Sequence, residues 1–129
     1  MEMGPQWILA IMKTILSLGQ CSYDHEQIAR AFGPGTQVLA VGNELEALAV
    51  LANTSFDLML VNRTFDEDGA SGLSFLQNHC AMLKAKGIPV MLVSNYPDAQ
   101  AKAVALGAME GFGKAALSQT KMAHILKQL

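Results

Sequence analysis

Residues 56–76 read FDLMLVNRTFDEDGASGLSFL, and this stretch decides the fold. The run Leu58-Met59-Leu60-Val61 is apolar throughout and stops at Asn62. A polar, acidic, glycine-containing loop follows, and then Leu73, Leu76 and Leu83 recur at helical spacing. The order is strand, loop, helix. An apolar run this short, without polar alternation, predicts a strand buried on both faces, as in a parallel sheet. In open parallel sheets the chemistry lies just beyond the carboxyl ends of the strands. Asn62 stands at such an end.

The same unit repeats on both sides of this stretch. Towards the N-terminus, Lys13–Leu18 predicts a first strand ending at Gly19. Ser22 is placed to cap a helix carrying Tyr23, Ile28, Ala29 and Phe32, which Gly33-Pro34-Gly35 stops. Residues 37–41 (QVLAV) predict a second strand. Asn43 opens a second helix, with Glu46 at capping-box spacing, and this helix frays near Asn53. The third strand is Asp57–Val61, followed by a loop over Arg63–Ser71 and a helix from Gly72 to Lys86 that Gly87 closes. Residues 89–93 (PVMLV) give a fourth strand ending at Ser94. Pro97 suits a first helical turn, and the alanine-rich fourth helix closes at Gly107. A short fifth strand spans Met109–Gly113. A last helix runs from Ser118 to Lys127, with Met122, Ile125 and Leu126 on one face. Five strands alternating with helices imply an α/β fold with one parallel sheet covered on both faces. The strand ends bring Gly19, Gln20, Asn62, Ser94 and Lys114 to one rim.

Length and composition bound the possibilities. The 129 residues fit one domain with a real core, and 51% hydrophobic with 16% charged residues is the balance of a compact globule. The net charge of −2, with no Lys/Arg cluster, argues against a nucleic-acid partner. Cys21 and Cys80 have no metal-site spacing and suit a reducing cytoplasm better than a disulfide framework. Residues 1–12 form an extension ahead of a domain over 13–129. Its run Trp7–Met12 is apolar, but it is too short to span a bilayer and lacks the basic start of a signal peptide. Three readings stay open for it: an extra strand or turn on the core, a remnant ahead of a true start at Met12, or an anchor for a membrane or partner.

In its motifs the chain resembles a response-regulator receiver domain of two-component signalling, over about Lys13 to Leu129. FDLMLVN is similar to the strand that ends in that family's phosphorylated aspartate. GIPVMLVSNY is similar to its fourth strand, which ends in Ser or Thr. AVALGAMEGFGK has its Gly-Ala turn and then its lysine, at the family's spacing. The resemblance implies the flavodoxin-like doubly wound sheet, in strand order 2-1-3-4-5. It also implies where the phosphorylation pocket would lie, and there the chain departs. The acceptor aspartate falls on Asn62, and the acidic metal-binding pair falls on Gly19 and Gln20. The aromatic switch position falls on Gly111, with Phe112 beside it. The loop after the third strand is about two residues longer than the family's, and Ala115 replaces the proline after the lysine. Only Ser94 and Lys114 keep the family's pattern.

Aspartyl phosphorylation needs a carboxylate nucleophile and a metal to neutralise phosphoryl oxygens. Asn62 offers a neutral amide, Gly19 no side chain and Gln20 no charge. The expected outcome is a neutral, hydrogen-bonded pocket without metal or cofactor and without catalysis. The acidic loop Asp66-Glu67-Asp68 fails as a calcium loop, because Thr64 and Phe75 stand where the first and last ligands would be. It is read as a solvated turn that could serve as a recognition surface. Arg63 could hold an anion at the rim or pair with Asp66 or Asp68, and the pairing is preferred. Cys21 could be activated by Lys114, although a bystander thiol is the simpler reading. His25, His79 and His124 have no ligand spacing.

The expected function is therefore that of a stand-alone pseudo-receiver that signals by binding. The resemblance implies a protein partner, or a second copy, on the face made by the fourth helix, fifth strand and last helix, with Phe112, Met122 and Ile125 as contact candidates. No membrane or nucleic acid is expected, nor an output domain after the last helix. Two rivals are a receiver phosphorylated elsewhere, at Ser94 or His25, and a small-ligand sensor built on the neutral rim pocket.

Overall fold

The computed structural model describes residues 12–129. The expectations for the run beginning at Trp7 fall on residues outside these, Met12 excepted. Five strands, β1 (Lys13–Leu18), β2 (Thr36–Val41), β3 (Leu58–Asn62), β4 (Val90–Val93) and β5 (Met109–Phe112), form one parallel sheet in the order β2-β1-β3-β4-β5. Five helices connect and follow them: α1 (Ser22–Phe32), α2 (Glu44–Asn53), α3 (Gly72–Ala85), α4 (Pro97–Ala105) and α5 (Gln119–Lys127). A 3₁₀ turn, Lys114–Ala116, lies between β5 and α5.

The sheet is buried on both faces, which is why its central strands do not alternate. Leu58 and Leu60 of β3 pack with Ile15, Ile28, Phe32, Met122 and Ile125 beneath α1 and α5. Met59 and Val61 pack with Leu16, Leu51, Phe75, Leu76 and Leu83 beneath the other helices. These four apolar residues of β3 are fully buried, and each contributes about 2 kcal/mol by leaving water.

Element boundaries follow local chemistry. Cys21, not Ser22, caps α1: its backbone is extended, and its Sγ accepts the Asp24 N–H at 3.4 Å, leaving Ser22 inside the first turn. Asn43 caps α2 as expected, accepting the Glu46 N–H at 2.8 Å, but Glu46 reaches back to the Gly42 N–H (2.8 Å) one residue earlier than a capping box requires. Asp57 lies outside β3. Its carboxylate takes the Thr14 N–H at 2.9 Å, clamping the start of β1.

Three expected surface residues belong to the core. Phe112, Met122 and Ile125 are buried under α1 and α5. The apolar face of α5 marked by Met122 and Ile125 is turned onto the sheet, so these two are not available to a partner, while Phe112 closes β5. Beside them, β5 carries an irregularity. Met91 pairs with Met109 and Val93 with Phe112, so β5 spends one extra residue. Gln100 of α4 satisfies what this leaves open. Its Nε2 donates to the Leu92 and Ser94 carbonyls (2.9 and 3.1 Å), and its Oε1 accepts the Gly111 N–H at 2.9 Å.

Candidate functional site

The carboxyl ends of β1, β3 and β4 and the turn after β5 meet at one rim. Asn62 closes β3, and its side-chain amide is committed. Nδ2 donates to the Gly19 carbonyl at 2.9 Å and to the Thr64 carbonyl at 2.8 Å. Two acceptors at one nitrogen fix the amide's orientation. The residue thus staples the β1–α1 turn to the β3–α3 loop. An aspartate has no hydrogens to give there while ionised.

Gly19 has φ +87°, which favours glycine, and Phe65 fills the space a side chain would need. A Cβ at Gly19 would stand 2.5 Å from Phe65 Cδ1. Phe65 is 1% exposed, contacts Phe75 edge-on, and is the one deeply buried residue of an otherwise exposed acidic loop. The Asp66 N–H donates to the Gly19 carbonyl at 2.9 Å, and Glu67 accepts from Asn43 Nδ2 at 2.6 Å. The loop therefore folds back over the ends of β1 and β2. Asp66, Glu67 and Asp68 are exposed, with the Glu67 carboxylate taken up by Asn43 and that of Asp68 accepting the Ala70 N–H at 3.0 Å.

Ser94 is 8% exposed, and its Oγ accepts the Tyr96 N–H at 3.1 Å. Lys114 does not look onto a rim free of carboxylates. Its Nζ donates to Asp24 Oδ2 at 2.7 Å, which holds the Asp24 carboxyl below its ordinary range against the opposing effect of burial. Arg63 pairs with neither Asp66 nor Asp68. Its guanidinium lies over the exposed Tyr96 ring at the start of α4, 4.9 Å from the centroid, while Glu67 and Asp68 are engaged by Asn43 and the Ala70 N–H. Asn62, Ser94 and Lys114 share a cavity of about 250 Å³ with Arg63 and Tyr96. Gly19 contributes to the rim by its carbonyl. Gln20 is turned elsewhere, lining a different cavity beside α1.

A divalent cation at this rim would ask for several hard, anionic oxygens. The rim cavity is lined by no carboxylate, Phe65 occupies the space above Gly19, and the Gly19 carbonyl already accepts two hydrogen bonds. These residues do not fit such an ion. No cluster of three or more His, Cys, Asp and Glu among the described residues could hold one. The remaining sequence candidates are placed as follows. Cys21 is a cap. His79 bonds Glu44 at 2.6 Å, His124 sits beside Gln128, and burial pushes the Cys80 thiol up.

Solved structures now bear on the fold. A signal receiver domain of a two-component response regulator from Bacteroides fragilis superposes with a TM-score of 0.73 at 16% identity, covering 91% of this chain and 95% of that one. The fold is that of a receiver domain. A chemotaxis response regulator of Vibrio cholerae gives 0.72 at 17% identity over 91% and 98% of the two chains. The receiver domain of a DNA-binding response regulator from Colwellia psychrerythraea gives 0.70 at 20% identity over 90% and 96%. No protein-family model and no curated protein matches the chain. Of the rim residues named from the sequence, the structure brings Asn62, Ser94 and Lys114 to one cavity. Sequence reasoning missed Asp24, Phe65 and Gln100. A lone aromatic in an acidic loop was the available signal for Phe65. The other two gave none.

Proposed function

We propose that this chain is a pseudo-receiver, a signalling module that works by binding a partner and not by accepting a phosphoryl group. The carrying observation is Asn62, whose amide gives both hydrogens to backbone carbonyls at the end of β3. That contact is one a carboxylate cannot make. Phe65 over Gly19 and the uncharged Gln20 support the same reading, since they leave no acidic pair to hold a metal. The Ser94 rival has less support, because its hydroxyl is buried and already engaged.

The partner is a signalling protein or a second copy, bound on the α4–β5–α5 face as in the receivers the chain resembles. With Met122 and Ile125 in the core, the contact passes to residues around a cavity of about 780 Å³ between α4 and the end of β5, which Phe112 also lines. Its wall includes Pro97, Ala101 and Val104 of α4, and Val104 is 46% exposed. Ala115 and Ala116 add small side chains to that wall, and Gly111 and Gly113 lie too close to the Leu92 backbone and to Asn95 for any side chain. A cytoplasmic setting suits this role, and no helix among the described residues is long and apolar enough to cross a membrane.

Acetyl phosphate with magnesium is expected to leave the intact mass unchanged, and a stoichiometric gain of one phosphoryl group would overturn the reading. Val104→Asp is expected to abolish self-association, or capture of the partner by the purified chain, without lowering Tm.

A further inference from the structure

Between α1 and the end of the edge strand β2 lies a second cavity, of about 510 Å³, which shares no lining residue with the rim cavity. Ala29 of α1 and Ala40 and Val41 of β2 give it apolar walls, and Gln20, His25 and Glu26 give it polar ones. Both amide atoms of Gln20, Nε2 and Oε1, and the Nδ1 of His25 are shielded from solvent and hydrogen-bond to nothing in the protein. Among the described residues only one other side-chain atom, the Ser17 hydroxyl, is in that state. Three of these four atoms thus belong to two residues that line this cavity. Buried polar groups without partners cost stability, and proteins break such rules mainly where a site has another use.

We propose that this cavity binds an uncharged, planar molecule presenting a hydrogen-bond donor beside an acceptor, the edge carried by nucleobases and by nicotinamide. The amide of Gln20 is complementary to that edge: Nε2 donates to its acceptor, and Oε1 accepts from its donor. The terminal torsion of a glutamine is broad, so turning the amide into the cavity costs little. His25 Nδ1 supplies a third contact, as donor or acceptor according to its tautomer. Ala29 and Ala40, with small side chains, face the cavity from helix and strand, and its volume of about 510 Å³ has room for a single ring. No Lys or Arg lines the cavity, and Glu26 does. A phosphate on the ligand therefore gains nothing, so the free base is preferred to the nucleotide. This site is independent of the α4–β5–α5 face and would give the module a small-molecule input.

The test is titration of the full chain with cytosine, adenine and nicotinamide, each alone, followed by amide chemical shifts. Saturable shifts are expected over residues 20–29 and 40–42 and in the Gln20 side-chain amide. Adenosine monophosphate should bind no tighter than adenine. Gln20→Leu and His25→Phe should each weaken binding by about tenfold or more. Both should leave Tm equal or higher, because each removes a polar group that nothing satisfies. Two results would overturn the proposal. One is the absence of saturable shifts with every probe up to its solubility limit. The other is a Tm lowered by Gln20→Leu, which would mean that the amide already has an internal partner, such as ordered water only.

Discussion

Asn62→Asp keeps size and shape but replaces a hydrogen-bond-donating nitrogen by the oxygen of an ionisable carboxyl, so its effect can be worked from the geometry. Two bonds disappear, to the Gly19 and Thr64 carbonyls at 2.9 and 2.8 Å. At about 0.5–1.5 kcal/mol each, their loss costs about 1–3 kcal/mol. In a domain of this length that lowers Tm by roughly 4–12 °C. A carboxylate oxygen would then face the same two carbonyl oxygens, which disfavours ionisation and raises the new group's folded pKa above its unfolded value near 3.9. The sign follows from linkage. Below the unfolded pKa the acid is protonated in both states, and its O–H still donates to one carbonyl. That contribution is lost as pH rises through the folded pKa. The deficit against wild type should therefore be smaller at pH 4 than at pH 7. Asn62→Ala, with no charge, should show a deficit that does not change with pH. Lys114 offers limited relief, since it is already bonded to Asp24. Adding Asp24→Asn should free it, so the double variant should lose less than the sum of the two single costs. Thermal or urea melts of these variants from pH 4 to 8 make the comparison. If Asn62→Asp is as stable as wild type at pH 7, or its deficit does not grow with pH, the staple is wrongly assigned.

Further outcomes follow from the same contacts. Gly19→Ala should lower stability by about 1–2 kcal/mol from its positive φ alone, plus the displacement of Phe65. Combining it with Phe65→Ala should be less than additive in urea melts, because the two positions share one space. Asp24→Asn should cost about 1 kcal/mol near pH 7, given that both partners are about a third exposed. Since Asp24 is depressed in the fold, its contribution is present above the unfolded pKa and lost as pH falls through the folded one, so the difference should vanish in acid. Gln100→Leu should speed hydrogen exchange of the Gly111 amide, which has lost its acceptor, and should lower Tm by several degrees.

The fold was legible because its signals are local. Leu58–Val61 announce a strand covered on both sides, and Gly33, Gly87 and Gly107 mark the ends of helices that periodicity had already located. Order in the sheet came from resemblance, and the register confirms it. The rim was only half legible. That Asn62, Ser94 and Lys114 end strands or follow them can be read from spacing. The partner of each cannot, because it comes from a distant segment: Lys114 meets a residue of the first helix, and Gly19 makes room for a phenylalanine two strands later. Periodicity marked Met122 and Ile125 as one apolar face. It could not say whether that face looked onto the sheet or towards a partner, since both kinds of contact want the same side chains. The extra residue in β5 left no trace in composition, and so neither did the role of Gln100.

The packing of Phe65 against Gly19 also constrains the mutational routes open to this chain. An acidic side chain at Gly19 meets an aromatic ring already in place, and one at Asn62 meets two carbonyl oxygens. Each step towards a metal-binding rim is thus unfavourable when taken singly. The step at Gly19 in particular requires the loop holding Phe65 to move. A selection experiment that starts from this gene and demands phosphorylation would need simultaneous changes in two loops. Random single substitutions would instead be filtered out as folding defects before any gain of activity could be seen.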